Sequence, residues 1–263
     1  MKDNKVCKVA LVTGASRGIG KAIAKKFLEE GYIVYGTYNT SKDKMLELEQ
    51  EYLEGNKESR FKVLGPYNFS NLSDTEKLIE KLENVQFDSI ICNAGMFSEN
   101  DDFLNFNLEE FNKTMNCNFY TPMMLCIKLQ DKIKNFGSIV IISSNDAYSG
   151  AYSSLSYSIS KSALLSLNKC LCVNFGKRGI RVNSVAPGAI NTDMNTPEQE
   201  YDAPIYTPIG RIGEPTEVAE AVYFLASDKS SFINGENITI DGGYKDVSIL
   251  LKNEVERLRS SIE

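Results

Sequence analysis

The sequence predicts an α/β fold in which a single doubly wound parallel sheet of about seven strands carries helices on both faces. Short apolar segments alternate with helical segments from residue 6 to about residue 243 of the 263-residue chain, and this alternation is typical of parallel strands joined by helices. The sequence contains no internal repeat, low-complexity block or flexible linker. We therefore expect one domain over residues 1–243 and a C-terminal helical extension over residues 244–263, where apolar residues recur at helical spacing.

The first predicted unit is a strand, a glycine-rich turn and a helix. Lys8 to Val12 is an apolar strand, and the segment from Thr13 to Gly20 follows it with the spacing G-x-x-x-G-x-G. Glycines in such a turn let the backbone approach a pyrophosphate closely, and the N–H groups at the start of the helix bind the anion. The turn predicts a dinucleotide site of the Rossmann type, with a tight strand-to-helix connection as the alternative.

The end of the second predicted strand, Ile33 to Tyr38, indicates which dinucleotide binds. An NAD site usually carries an acidic side chain there for the ribose hydroxyls, but this chain has Tyr38 at the aligned position. Hydroxyl and amide side chains surround it, and Arg17 in the glycine turn can reach the same corner. Because a guanidinium binds phosphate well and a carboxylate would repel it, we predict NADP(H) rather than NAD(H).

Two further predicted strands bring polar groups to the same edge of the sheet. Ser89 to Asn93 leads into Asn93-Ala94-Gly95, and Ser138 to Ser143 leads into Ser144. The ligand crevice of an open parallel sheet lies beyond the carboxyl ends of its strands. Ser144 is therefore a candidate catalytic residue.

Tyr157 and Lys161 form a Y-x-x-x-K pair, which helical spacing places on one face of a helix. A tyrosine with its usual pKa of about 10 is a poor acid near neutral pH, but a fixed cation beside it stabilises the phenolate and brings proton transfer within reach. A second pair, Tyr38 and Lys42, belongs to the cofactor corner. As alternatives, Ser144 can cap a turn and Tyr157 can pack against a neighbour.

Composition narrows the chemistry further. The chain has no histidine, which excludes histidine-based triads and HExxH zinc sites. It has 29 basic and 35 acidic residues, a net charge of -6, and no basic stripe, so no nucleic-acid partner is expected. The polar N-terminus, the lack of a long apolar run and six cysteines without metal-type spacing predict a cytoplasmic protein with reduced core thiols, no metal and no membrane contact.

Taken in order, these motifs resemble the short-chain dehydrogenase/reductase family. The shared marks are the T-G-x-x-x-G-x-G turn, N-A-G, the serine, Y-x-x-x-K and a following Pro187-Gly188, and together they cover residues 6 to 243. The chain is most similar to the 3-oxoacyl-[acyl-carrier-protein] reductase branch, which is also suggested by residues 34–37, 185–190 and 240–243.

The resemblance implies a role for each candidate catalytic residue. Tyr157 is expected to be the general acid in carbonyl reduction, and Ser144 is expected to hydrogen-bond the carbonyl oxygen. Lys161 is expected to hold the nicotinamide ribose and to lower the pKa of the tyrosine. Asn118 matches the family asparagine that holds a water of the proton relay, with Asn116 as its rival.

The cofactor is expected to lie along the whole crevice. Asn68 and Phe69 match positions on the adenine side, and Ile190 and Thr192 match positions near the carboxamide and phosphates. The full expected set of cofactor contacts is Gly14, Ser16, Arg17, Gly18, Ile19, Gly20, Thr37, Tyr38, Asn39, Thr40, Asn68, Phe69, Asn93, Ala94, Gly95, Tyr157, Lys161, Pro187, Gly188, Ile190 and Thr192. The expected substrate contacts are Ser144, Asn145, Tyr152 and Tyr157.

Two loops at the crevice, Asn145 to Ser154 and Gly188 to Gly210, are expected to select the substrate. The second contains no lysine or arginine, so a neutral ketone or acyl thioester is favoured over a small keto acid. We expect an NADP(H)-dependent oxidoreductase that transfers hydride between the nicotinamide and a carbonyl or secondary alcohol, most like a 3-oxoacyl thioester reductase. A steroid, sugar or other secondary-alcohol dehydrogenase is the alternative, and an NADP(H)-sensing protein without turnover is the remote one.

The sequence also predicts self-association. The helix predicted over Leu155 to Phe175 is apolar around more of its circumference than one core contact would bury. A homo-oligomer is therefore expected, and the resemblance implies a homotetramer. Leu129 and Val173 stand where carrier-protein reductases of the family present arginines, so a carrier-bound substrate is left open.

Overall fold

Seven parallel strands form one sheet in the part of the chain that the computed structural model describes, residues 7–53, 59–98, 101–150, 154–194, 203–248 and 253. The strands are β1 Val9–Val12, β2 Ile33–Thr37, β3 Phe61–Leu64, β4 Phe87–Cys92, β5 Ile133–Ile142, β6 Arg181–Pro187 and β7 Asn237–Ile240. The α-helices within the same residues are α1 Gly18–Glu29, α2 Lys42–Glu51, α3 Leu72–Lys81, α4 Leu108–Met115, α5 Thr121–Lys128, α6 Leu155–Phe175 and α7 Pro215–Ala226, with a π-helical turn Asn116–Tyr120 between α4 and α5. The predicted fold class is confirmed.

The order of the strands places a crevice between β1 and β4. The sheet runs β3-β2-β1-β4-β5-β6-β7, so the chain moves outward from β1 in one direction and outward from β4 in the other. At such a switch point the loops that follow the two central strands diverge and leave a cleft beyond their carboxyl ends. The glycine turn follows β1 and Asn93-Ala94-Gly95 follows β4, so both predicted motifs border this cleft.

Two apolar layers hold the helices on the sheet. Val140 and Ile142 of β5 face the layer beneath α1, α2 and α7, whereas Ile139 and Ile141 face the layer beneath α3, α5 and α6. All four side chains are at most 5% exposed. Because helices cover both faces of the parallel sheet, residues 139–142 of β5 form a continuous apolar run rather than an alternating pattern.

A buried arginine joins β6 to the end of α7. Arg181 is 7% exposed, and its guanidinium donates to the carbonyl oxygens of Leu225 at 2.7 Å and Ser227 at 3.0 Å. It also donates to the hydroxyl of Ser230 at 2.7 Å. The last carbonyls of a helix have no partner further along it, and the helix dipole favours a positive charge there. Arg181 therefore caps the carboxyl end of α7.

The six cysteines are free in the structure, but they are not all core thiols as predicted. Cys92, Cys117 and Cys126 are buried, whereas Cys7 and Cys170 are exposed. Cys7 precedes β1, and Cys170 lies on the outer side of α6. An apolar sequence neighbourhood does not distinguish the outer side of a helix from the side that faces the core.

The long helix α6 exposes less apolar surface than its sequence predicts. Its leucines at positions 164, 167 and 171 are at most 8% exposed and belong to the core, whereas Val173 is 74% exposed. Leu129, which follows α5, is 1% exposed and is not a surface position. The helix packs against both β6 and α4, which accounts for its wide apolar face. Neither α6 nor any other helix among the described residues has the length and apolar character needed to cross a membrane.

The chain continues past β7 into a short 3-10 turn, Tyr244–Asp246. The helix predicted over residues 244–263 lies for the most part outside the described residues, as do residues 1–6 of the predicted domain. The division into a domain and an extension therefore stays a prediction.

Replacing Arg181 with methionine is expected to lower the free energy of unfolding by about 3 kcal/mol, because two carbonyl oxygens and a hydroxyl would lose a buried charged donor. Urea denaturation measures this change. Lys169→Met, at an exposed position of α6, is the control and is expected to change the value by less than about 0.5 kcal/mol. Equal effects of the two substitutions would contradict the capping role.

Candidate active site

A cleft of about 1130 Å³ lies beyond the carboxyl ends of the central strands. Every residue expected to contact the cofactor lines it, and so do Ser144, Asn145 and Tyr157. Tyr152, an expected substrate contact, falls outside the described residues. Ser41 of the cofactor corner lines the cleft too, and so do five residues of the two loops expected to select the substrate, namely Asp146, Asp193, Met194, Ala203 and Tyr206. The lining residues that were not predicted include Tyr67, Met96, Phe97, Cys117 and Tyr244.

The glycine turn leaves no room for a side chain at its three glycines. Gly14 and Gly18 have φ values of 68° and 51°, in the left-handed region that favours glycine. A Cβ atom on Gly20 would lie 2.0 Å from the carbonyl oxygen of Gly14 and 2.4 Å from Nδ2 of Asn93. No side chain caps the start of α1 among the described residues. The turn thus fits a pyrophosphate, which needs close backbone approach and N–H donors at a helix start.

Hydrogen bonds tie the glycine turn to the neighbouring strand ends. The hydroxyl of Thr13 accepts from the amides of Asn93 and Ala94, each at 3.0 Å. Nδ2 of Asn93 donates to the carbonyl oxygens of Thr13 at 2.9 Å and Gly14 at 3.2 Å. The amide of Gly14 donates to Oγ1 of Thr37 at 3.0 Å. Asn93 and Thr37 therefore shape the turn through their side chains.

The corner after β2 carries two cations, of which only Arg17 was predicted. Nη1 of Arg17 lies 3.8 Å from Oδ2 of Asp193, and Nζ of Lys44 lies 3.5 Å from the same oxygen. Tyr38, at the position where an acid would stand, is 6% exposed, and its ring lies against Gly65. Lys44 could have been found from the sequence, because it is a basic residue in the first turn of the helix that follows β2.

Ser144, Tyr157 and Lys161 meet at the other end of the cleft. Ser144 and Tyr157 both line this end of the cleft, and Nζ of Lys161 lies 5.5 Å from the centroid of the Tyr157 ring. Lys161 is 4% exposed and donates to the carbonyl oxygen of Ile142 at 2.8 Å. The hydroxyl of Ser144 accepts from the amide of Asp146 at 3.1 Å. Ser144 thus caps a turn, as one alternative proposed, and its side chain also lowers the pKa of Tyr157.

Burial governs the protonation of these groups. Burial, followed by the nearby Asp146 carboxylate, raises the pKa of Tyr157 to about 12, against the effect of its hydrogen bond with Ser144. Burial lowers the pKa of Lys161 to about 8, although Cys117 and Asp146 act in the opposite direction. Burial also raises the pKa of the Asp146 carboxyl. The expected lowering of the tyrosine pKa is therefore wrong for this site, because its buried setting penalises the phenolate.

The two rival asparagines both lie in the π-helical turn between α4 and α5, but their side chains make different contacts. Asn118 is 1% exposed, and its side chain accepts from the amide of Met96 at 2.8 Å and donates to the carbonyl oxygen of Met96 at 3.0 Å. It also donates to the hydroxyl of Ser160 on α6 at 3.1 Å. Asn116 instead donates to the carbonyl oxygen of Ser70 at 2.9 Å. Asn118 is the one that contacts both the strand end after β4 and the helix of Tyr157.

Aromatic and apolar side chains line the cleft beside Tyr157. The ring of Phe97 meets the ring of Tyr157 edge to face, with 5.6 Å between centroids. Met96, Met194, Ala203, Tyr206 and Tyr244 also line the cleft. Among the described lining residues the cations are Lys161, which is buried, and Arg17 at the far corner. The carboxylate of Asp146 lies at the same end as Lys161 and raises the pKa of that lysine.

Comparison with known proteins identifies the family. A family model described as Enoyl-(Acyl carrier protein) reductase matches residues 14–245. The 3alpha-hydroxysteroid dehydrogenase of Mediterraneibacter gnavus is 38% identical over 249 residues, which cover 89% of this chain and 96% of that protein. The 3-oxoacyl-[acyl-carrier-protein] reductase FabG of Buchnera aphidicola is 35% identical over 246 residues, with coverage of 89% and 96%.

Solved structures agree with these relatives. A blue fluorescent protein from a metagenomic library, determined in complex with NADPH, matches with a TM-score of 0.83 at 30% identity, over 90% of this chain and 97% of that one. The order of the motifs, the seven-stranded sheet and the relatives lead to the same conclusion. The chain belongs to the short-chain dehydrogenase/reductase family of oxidoreductases.

Proposed function

We propose that the protein is an NADP(H)-dependent oxidoreductase that transfers hydride between the nicotinamide and a carbonyl or secondary alcohol, most like a 3-oxoacyl thioester reductase. The observation that carries this proposal is the meeting of Ser144, Tyr157 and Lys161 at the end of the cleft that starts at the glycine turn. A protein that only senses a dinucleotide has no physical need for a hydroxyl, a phenol and an ammonium in contact at that point.

The residues of the cleft suit a nicotinamide dinucleotide, which supplies the hydride when bound. The glycine turn would hold the pyrophosphate, and Lys161 would hold the nicotinamide ribose. On the adenine side, the rings of Tyr67 and Phe69 lie parallel, with 6.2 Å between centroids and 3° between planes.

Tyr157 and Ser144 then bind the carbonyl oxygen and supply its proton. With a pKa of about 12, Tyr157 is protonated at neutral pH and can donate to a carbonyl oxygen. Ser144 lines the same end of the cleft and would provide a second donor to the oxygen on which negative charge develops. These two groups hold the oxygen in place and protonate it.

A route for returning the proton runs behind Tyr157. A Cβ atom added to Gly95 would lie 3.5 Å from Oδ1 of Asn118 and 3.5 Å from Nζ of Lys161. Glycine keeps this space open between two polar groups, which is the setting that a bridging water needs. We infer that Asn118, rather than Asn116, supports the proton relay.

The lining favours a neutral substrate. The ring of Phe97 lies against the proposed acid, Met194 and Tyr206 also line the cleft, and Asp146 would repel a carboxylate placed beside it. A 3-oxoacyl thioester fits this setting. The aromatic and apolar lining also suits a hydroxysteroid as a second candidate, in line with the name of the Mediterraneibacter gnavus relative.

Tyr157→Phe tests the proposed chemistry. We expect kcat to fall by a factor on the order of 10² to 10⁴ with little change in the Kd for NADPH, because only the transferred proton is lost. Nicotinamide absorbance is followed with 3-oxoacyl thioesters, diketones, hydroxysteroids and sugars. Tyr52→Phe, whose hydroxyl lies 3.4 Å from Glu29 at the surface, is the control. Near-normal turnover by Tyr157→Phe would refute the assignment, and flat traces for the unmodified protein with every substrate would favour a sensor.

Asp146→Asn tests the electrostatic origin of the tyrosine pKa. The Asp146 carboxylate raises the pKa of Tyr157, so removing its charge lowers that pKa. Alcohol oxidation needs the phenolate, and its rise with increasing pH should move to lower pH. Profiles of kcat/KM against pH measure this shift. Asp228→Asn, a charge change at a side chain that is 88% exposed, should leave the profile in place, and an unmoved profile for Asp146→Asn would exclude the effect.

Arg17→Ala and Lys44→Ala test the cofactor preference. Both cations lie within 3.8 Å of Asp193, which lines the cleft, and a 2'-phosphate would sit beside them. Each substitution is expected to raise the KM for NADPH about tenfold and to leave the KM for NADH nearly unchanged. Lys81→Ala, at the exposed last residue of α3, is the control. A preference of the unmodified protein for NADH would contradict the proposal.

We further propose a homotetramer. Leu108, Tyr120 and Ile127, along the helical segment from α4 to α5, are 61%, 39% and 42% exposed, and Val173 on α6 is 74% exposed. Apolar groups on helices that pack side by side support self-association. The cytoplasmic location and the lack of nucleic-acid and membrane partners stay predictions.

A further inference from the structure

Asp101 lies in the loop between β4 and α4 and caps the helix that carries Tyr157 and Lys161. Its carboxylate accepts hydrogen bonds from the amide of Ser156 at 2.8 Å, the hydroxyl of Ser156 at 2.7 Å and the amide of Tyr157 at 3.1 Å. Its own carbonyl oxygen accepts from the amide of Leu155 at 2.9 Å. Asp101 is 8% exposed, so this cluster is nearly closed to water.

The helix α6 depends on this distant residue because it lacks a cap of its own. The hydroxyl of Ser154, at the N-cap position, meets the hydroxyl of Ser158 at 3.4 Å but accepts no hydrogen bond from a backbone amide of the first turn. The first amides of a helix have no partner within the helix, and leaving them unpaired in a buried place is costly. A carboxylate is the strongest acceptor for them and is also favoured by the helix dipole. The start of α6 is thus set by a loop 55 residues earlier in the sequence.

The same loop contacts Tyr157 in a second way. Tyr157 is the third residue of α6, and Asp101 holds its backbone while the ring of Phe97 meets its ring edge to face. The backbone of Met96, one residue earlier, is held by the side chain of Asn118 through two hydrogen bonds. The loop is therefore anchored at Met96 and at Asp101, with Tyr157 between the two anchors.

We propose that Asp101 is a positioning residue, which fixes the first turn of α6 so that the Tyr157 side chain keeps its place beside Ser144 and Lys161. This inference rests on the proposed function of Tyr157. Asp101 does not line the described cleft and so acts only through the helix. Because a displacement of about 1 Å at a reacting group can cost a factor of about 10² in rate, a shift of this one turn is enough to impair turnover.

Asp101→Ala tests the proposal in the full-length protein. We expect kcat to fall about 10- to 100-fold, with the Kd for NADPH unchanged within about twofold because the glycine turn is untouched. Asp101→Asn keeps an acceptor oxygen for the amides and is expected to recover most of kcat. Asp102→Ala is the matched control, because Asp102 accepts only from Leu104 and Asn105 of its own turn.

The pH profile separates positioning from general stability. The Ser144 side chain lowers the pKa of Tyr157, so moving the phenol away from Ser144 raises the pKa. Alcohol oxidation by Asp101→Ala should then rise at higher pH than in the unmodified protein, which is the opposite direction to Asp146→Asn. A folded Asp101→Ala variant with unchanged kcat and an unchanged profile would overturn the proposal. Should that variant fail to fold, Ser156→Ala, which loses one contact of the cluster, is expected to shift the profile in the same direction, and an unshifted profile would overturn the proposal equally.

A readout that does not depend on turnover distinguishes this inference from the proposed function. Hydrogen exchange of the Ser156 and Tyr157 amides should be faster in Asp101→Ala and unchanged in Asp102→Ala. Unchanged protection in Asp101→Ala would overturn the capping role even in an active enzyme. Absence of turnover in the unmodified protein, combined with faster exchange in Asp101→Ala, would refute the proposed function and leave the positioning of Tyr157 by Asp101 intact.

Discussion

The close approach of two strand ends at the centre of the sheet is the constraint on which the rest of the site depends. The backbone after β1 and the backbone after β4 are held together by Thr13 and Asn93, at distances from 2.9 to 3.2 Å. Gly20 has no space for a Cβ atom because Asn93 and the turn itself occupy it. The other walls of the cleft extend from this junction. The rigidity of the junction therefore sets the distance between the two ends of the cofactor site.

The acid-base chemistry of the site comes from burial rather than from an imidazole, since the chain has no histidine. Burial raises the pKa of Tyr157 to about 12 and lowers that of Lys161 to about 8. The Asp146 carboxylate acts on both groups in the same direction, which favours protonated forms. The proposed proton donor, Tyr157, therefore stays protonated at neutral pH, next to a lysine whose charge depends on its surroundings.

The fold and the cofactor end of the site were predictable because their signals are local. A few consecutive residues are enough to recognise the apolar run of β5, the glycine turn and Asn93-Ala94-Gly95. Asp101, Asp146 and Lys44 were not predicted, because what they do depends on residues from other elements. The pKa of Tyr157 was predicted in the wrong direction for a similar reason. The sequence shows that a lysine lies one helical turn away, but it does not show that desolvation of the phenol has the larger effect on its pKa.

The two anchors of the loop after β4 have a consequence for how such enzymes diversify. Met96 and Asp101 are fixed by side-chain hydrogen bonds to the helices around the proposed acid, whereas Phe97, which lies between them in the sequence, lines the cleft. A stretch bracketed in this way can change length or side chains without disturbing its attachment points. Evolution can therefore exchange the surface that recognises a substrate while inheriting the proton donor unchanged.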